Sequence, residues 1–172
     1  MTELTFDPSR SSIRIHTFAE GLFSRLAHDL ELTCRDASGT AKDERSCTLT
    51  IPVRGIDVVG TLKSGKVDSG ALSPSDREDI LAKMRREVFH DASSVTVEAS
   101  VERVKVISPT GKTVERAVSL KPQKADDGSL RVQGRIDISM NAFGAVPVKG
   151  PMNAFRVKDV VEVHFDIVFQ PA

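Results

Sequence analysis

The feature that most constrains this chain is the two-residue period that runs through most of it. In LRVQGRIDISM, Leu130, Val132, Gly134, Ile136, Ile138 and Met140 fall on one side, and Arg131, Gln133, Arg135, Asp137 and Ser139 on the other. VEVHFDIVF sets Val161, Val163, Phe165, Ile167 and Phe169 against Glu162, His164 and Asp166. Successive side chains of a strand point to opposite faces, so such segments bury one face of a sheet and wet the other. SIRIH (Ile13, Ile15), CTLTIPV (Leu49, Ile51, Val53) and SSVTVEASV (Val95, Val97, Ala99, Val101) repeat the pattern, and AVSLK is a weaker copy. After Val101 the apolar parity slips to Val104 and Val106, which predicts a bulge near Glu102–Arg103. DDGS (Asp126–Ser129) and SPTGK (Ser108–Lys112) read as hairpin turns, and GAVPVKGP as a longer loop.

Helical signals are few. In SPSDREDILAKMRREVF, Ser75 and Glu78 have the spacing of a capping box, and Ile80, Leu81, Met84 and Val88 form one apolar stripe, predicting a helix over Ser75–Val88. SRLAHDLEL contains a second, shorter pattern. Leu22, Phe23, Leu26, Ala27 and Leu30 would share one helical face, leaving Ser24, Arg25, His28 and Asp29 on the other, so a helical turn is predicted over Leu22–Asp29. From Leu30 the period returns to two, through Leu32 and Cys34.

Together these signals predict one domain over residues 1–172 with an all-β fold, a closed antiparallel barrel of about eight strands. Closure removes the exposed edges that long alternating strands would otherwise present. Such a barrel either holds a small ligand or is filled by its own side chains, and alternation alone does not separate the two. A filled barrel would make the chain a structural or interaction module.

Composition narrows the function. Lys+Arg and Asp+Glu are 24 each, so no broad field of one sign exists to hold nucleic acid. Eight Phe with no Trp or Tyr offer no base-stacking platform. No apolar run approaches the about 18 residues of a spanning helix, so no integral membrane segment is expected. MTELTFDPSRSS lacks a basic start followed by an apolar run, which predicts no signal peptide and a soluble, cytoplasmic chain. Two cysteines, Cys34 and Cys47, are too few for a disulfide framework and read as free core thiols.

The residue types of a reactive centre occur without its spacing. Ser24 and His28 could approach on one helical face, but Asp29, next to His28, would point about 100° away and could not orient the imidazole. No G-x-S-x-G elbow accompanies them. His16, His28, His90, His164, Cys34 and Cys47 match no metal-ligand spacing, and His16 and His164 lie on the polar phases of their strands. Gly60, Gly65 and Gly70 do not make a phosphate loop. No catalytic residue, metal or cofactor is therefore expected, with a His- or metal-dependent enzyme as the remaining alternative.

The order of segments resembles the YceI-like family of lipocalin-like barrels that bind polyisoprenoids and other long apolar molecules. LTFDPSRSSIRIHTFAEGLFSRLAHDLEL is similar to that family's opening, ASGTA to its second-strand segment and CTLTIPVRGIDV to its third strand. SDREDILAKMRREVFHDASSVTVEAS resembles its helix and following strand, NAFGAVP its DFGI turn and RVKDVVEVHFDIVF its final strand. Ala92–Ser94 replaces the family's Tyr-Pro. The resemblance implies a non-enzymatic carrier of a long-chain apolar molecule, of polyisoprenoid or fatty-acyl type, and no fixed catalytic set; a homodimer is compatible with it. The interior candidates are Ile13, Ile15, Leu32, Leu49, Ile51, Val95, Val97, Ile136, Ile138, Val163, Phe165 and Ile167. Phe18, Leu22 and Phe23 are candidates for a lid, and Arg25 and His28 for contacts with a polar head at the rim.

Overall fold

The structure, a computed structural model, describes residues 3–20, 28–150 and 155–172. Its elements are β1 (Leu4–Phe6), β2 (Ser12–Thr17), β3 (Ala19–Glu20), β4 (Asp29–Cys34), β5 (Ser38–Ala41), β6 (Ser46–Pro52), β7 (Ile56–Lys63), β8 (Lys66–Asp68), α1 (Pro74–Glu87), β9 (Ser94–Ser100), β10 (Arg103–Ile107), β11 (Thr113–Ala117), β12 (Gln123–Lys124), β13 (Leu130–Ser139), α2 (Met140–Phe143), β14 (Arg156–Val157) and β15 (Val160–Pro171).

The longest alternating segment, β15, organises the sheet. One edge carries β13, from Leu130↔Phe169 to Ser139↔Val160. The other carries β1 and β2 end to end, with Phe6 opposite Phe169 and Ser12 opposite Asp166. The link between them turns on Asp7, whose carboxylate accepts from the Ser9 hydroxyl at 2.7 Å and Arg10 Nε at 2.6 Å. Beyond β1 the sheet continues through β5, β6, β9, β10 and β11; beyond β2 it continues through β4, β7 and β8. Every ladder is antiparallel, as alternation with one wet face requires.

The result is a curled antiparallel sheet, a half-barrel of 13 strands rather than about eight, with β3 and β14 pairing separately. Among the described residues no ladder joins β11 to β13, and α2 packs against both strands there. One stretch that looks continuous in sequence breaks into two strands. The parity slip after Val101 is such a break: it is a hairpin, not a bulge. Ala99 faces Val104 across a turn over Ser100–Arg103, so two inward residues five apart end up directly opposed. The stretch around Gly60 and Gly65 is the β7–β8 hairpin; Ser64 (φ 52°) and Gly65 (φ 77°) make a two-residue turn with both central φ positive, which suits the strand twist. AVSLK forms no strand beyond Ala117, where β11 ends.

The helix α1 starts earlier than its capping-box spacing suggests. Ser73, not Ser75, is the N-cap: its hydroxyl accepts from the Asp76 N–H at 3.0 Å while Asp76 accepts from the Ser73 N–H at 3.2 Å. Pro74 decides between the two registers, because its fixed φ and missing N–H suit the first helical position. Arg77 then anchors the helix to the sheet by donating to the Val58 carbonyl at 2.6 Å and to the Ser69 carbonyl. Leu81 is buried, and Ile80, Met84 and Val88 pack beside it. The helical turn expected over Leu22–Asp29 falls mostly on residues outside those described; His28 is not helical and Asp29 already belongs to β4.

Candidate functional site

The concave face of the curled sheet bounds an apolar cavity of about 670 Å³, within the range of small-molecule sites. Its walls follow from the alternation. Ile13 and Ile15 come from β2, Leu30 and Leu32 from β4, Leu49 and Ile51 from β6, and Val95 and Val97 from β9. Val104 and Val106 come from β10, Ile136 and Ile138 from β13, and Val163, Phe165 and Ile167 from β15. All the interior candidates named from the sequence line this one cavity, as does Phe18, while His28 lies exposed at its rim. Leu22, Phe23 and Arg25 lie outside the described residues.

Several lining residues escaped the sequence reading. Ile80, Met84 and Val88 present the α1 stripe to the cavity, and Phe89 and Phe143 close a wall edge to face at 5.9 Å. The apolar stripe of α1 was legible, but only the tertiary arrangement shows that it faces an empty space. Leu120 and Pro122 line the cavity from the stretch after β11.

The lining runs from one end of the half-barrel to the other, and its two rims differ. One rim holds His28, Asp79, Lys83 and Lys149, with Lys83 Nζ donating to the Lys149 carbonyl. The opposite rim is the β5–β6 turn with Asp43, Glu44 and Arg45. There Asp43 accepts from the Arg45 N–H at 2.7 Å, and Glu44 pairs with Lys124 at 3.2 Å.

Cys34 and Cys47 both line the cavity. They sit on β4 and β6, which are not neighbours in the sheet, and both are free. Burial pushes the Cys34 thiol up to about 12 and the Cys47 thiol up to about 11, so neither is a reactive thiolate. Asp29 accepts the Ala19 N–H at 2.9 Å, a structural bond. His90 meets the Gly144 carbonyl at 2.7 Å. His16 and His164, each on the polar phase of its strand, lie with ring centroids 4.4 Å apart, tilted to each other, on the outer face of the sheet. Adjacent strands bring together what no sequence spacing linked.

No model of a known protein family matches the chain, and no curated protein matches it in sequence. Its fold does match solved structures. A polyisoprenoid binding domain from Saccharophagus degradans, implicated in plant cell wall breakdown, superposes with a TM-score of 0.68 at 12% identity over 100% of both chains. BcnA of Burkholderia cenocepacia superposes with a TM-score of 0.61 at 16% identity, over 95% of this chain and 98% of that one. The chain therefore shares the fold of these proteins.

Proposed function

We propose that this chain is a YceI-like binding protein that holds a long-chain apolar molecule, of polyisoprenoid or fatty-acyl type, along its half-barrel. The observation that carries this reading is the continuous apolar cavity of about 670 Å³ that reaches both rims. A side-chain-filled interior would leave no such space. The polyisoprenoid binding assigned to a domain of the same fold supports the same class of ligand.

The energetics suit a tail held without specific hydrogen bonds. Each methylene taken from water contributes about 0.8 kcal/mol. About ten of them reach the scale of micromolar binding, before the cost of immobilising the chain is subtracted. In this reading α2, Leu120 and Pro122 cover the gap between β11 and β13, so that the half-barrel encloses the tail as a closed barrel would. An anionic head group belongs at the rim of His28, where Lys83 and Lys149 outnumber Asp79; the other rim sets Asp43 and Glu44 against Arg45. Phe18 lies at the first rim and would pack on the upper part of the tail. The role is carriage or sequestration without chemistry.

Organic extraction and mass spectrometry of protein purified from its own source test this. A near-stoichiometric isoprenoid or acyl compound is the expected result. A clean blank, together with no uptake of a fluorescent polyisoprenoid, would overturn it.

A further inference from the structure

On the convex face, away from the cavity, the ladders align polar side chains in rows. Glu31 of β4 faces His16 of β2, which faces Glu162 of β15. In the next row Arg14 faces His164, which faces Arg135. We propose that His16, Glu162 and His164 form a binding site for a divalent late-transition cation of the zinc type.

Three observations carry this. First, the ligating atoms of these three residues all lie within 4.8 Å of one another, and among the described residues this is the one such cluster of His, Cys, Asp and Glu. A tetrahedral zinc with bonds of about 2.0–2.1 Å sets its ligands about 3.3 Å apart, so half-buried side chains need close by only a small rotation. Second, the donor set is two imidazoles and one carboxylate, which suits zinc, copper or nickel rather than magnesium or calcium.

Third, the residues behind the ligands are already in place. His16 Nε2 lies 2.9 Å from Oε1 of Glu31, a carboxylate whose side chain is 6% exposed. A carboxylate only accepts, so His16 carries its proton on Nε2, which leaves the lone pair on Nδ1, 4.0 Å from Oε1 of Glu162. An imidazole fixed by a carboxylate on its far nitrogen is the usual support of a metal-bound histidine. Arg135 holds Oε2 of Glu162 at 3.2 Å, which leaves Oε1, 3.0 Å from His164 Nε2, for the metal. Arg14, 3.6 Å from Glu31, neutralises the supporting carboxylate rather than a ligand. The cation would take the place of the proton now shared by His164 Nε2 and Glu162, with His164 in its Nδ1–H tautomer and a fourth position open to water.

The test is calorimetric titration of the full chain with Zn²⁺ and, separately, Mg²⁺, alongside thermal melts with and without Zn²⁺. The expected result is one Zn²⁺ per chain, a raised melting temperature and no Mg²⁺ binding. His164→Gln and His16→Gln abolish both signals. Glu31→Gln, which touches no metal, weakens binding by about 10–100-fold, and His90→Gln changes nothing. His164 is 37% exposed, so its variant retains the fold even if Glu31→Gln does not. Absence of Zn²⁺ binding by the wild type, or equal binding by His164→Gln, overturns the proposal. Neither outcome depends on whether the cavity holds a lipid.

Discussion

The ring of Phe165 lies over Gly134, its direct partner across the β13–β15 ladder: a Cβ added at Gly134 would sit 2.7 Å from the ring's Cζ. The glycine interrupts the apolar phase of β13 and leaves room for the tip of this ring against the wall of the cavity.

Gly134→Ala therefore pushes the ring off the wall, and the cavity is the open space beside it. The expected outcome is a fall in the amount of apolar compound recovered by extraction and a loss of about 1–3 kcal/mol from overpacking, read from the denaturant midpoint. Unchanged ligand recovery would mean that Phe165 does not bound the occupied space.

The two thiols report on the interior. With Cys34 pushed up to about 12 and Cys47 up to about 11, both stay protonated at pH 8, and the thiolate is the nucleophile. Alkylation of the native chain should be slow at both sites, become fast in denaturant and slow further when the cavity is loaded. Rapid native labelling at either cysteine would contradict this placement.

The helix cap separates two readings of one sequence. Ser73→Ala removes the hydroxyl that accepts from Asp76 and should cost about 0.5–2 kcal/mol. Ser75→Ala, at the second helical position, should leave the unfolding midpoint nearly unchanged. The reverse order would move the helix start by two residues.

Asp7 predicts an acid limit. Hydrogen bonds from Ser9 and then Arg10 hold its carboxyl down at about 2, against the usual 3.8. A lowered carboxyl pKa stabilises the fold fully above the unfolded value, and that contribution is lost as pH falls from about 4 toward 2. Asp127 and Asp166 are lowered too, so the measurement is the difference between wild-type and Asp7→Asn melting curves. That difference should be largest near pH 5 and shrink toward pH 2.

Loading should itself stabilise the protein. A ligand that binds only the folded chain adds about 2.7 kcal/mol at 100 times its Kd, so delipidated protein should melt lower and recover its melting temperature when a polyisoprenoid is added back. A delipidated chain that melts with the untreated one would count against an occupied cavity.

What the sequence determined by itself is the list of inward residues. A period of two assigns each side chain to a face whichever strand it later pairs with, so Ile13, Ile15, Leu32, Leu49, Val97, Ile136 and Phe165 were legible as one apolar surface. The period cannot show how strands are cut and joined. A bulge and a hairpin produce the same parity slip after Val101, and Ser75–Glu78 and Ser73–Asp76 offer the same cap until Pro74 settles the register. Whether an apolar surface closes on itself or stands around a space depends on curvature and on which strands meet, and these are fixed by long-range pairing. The same pairing decided the outer face: His16 and His164 are far apart in the chain, and only the β2–β15 register sets them beside Glu162, with Glu31 behind.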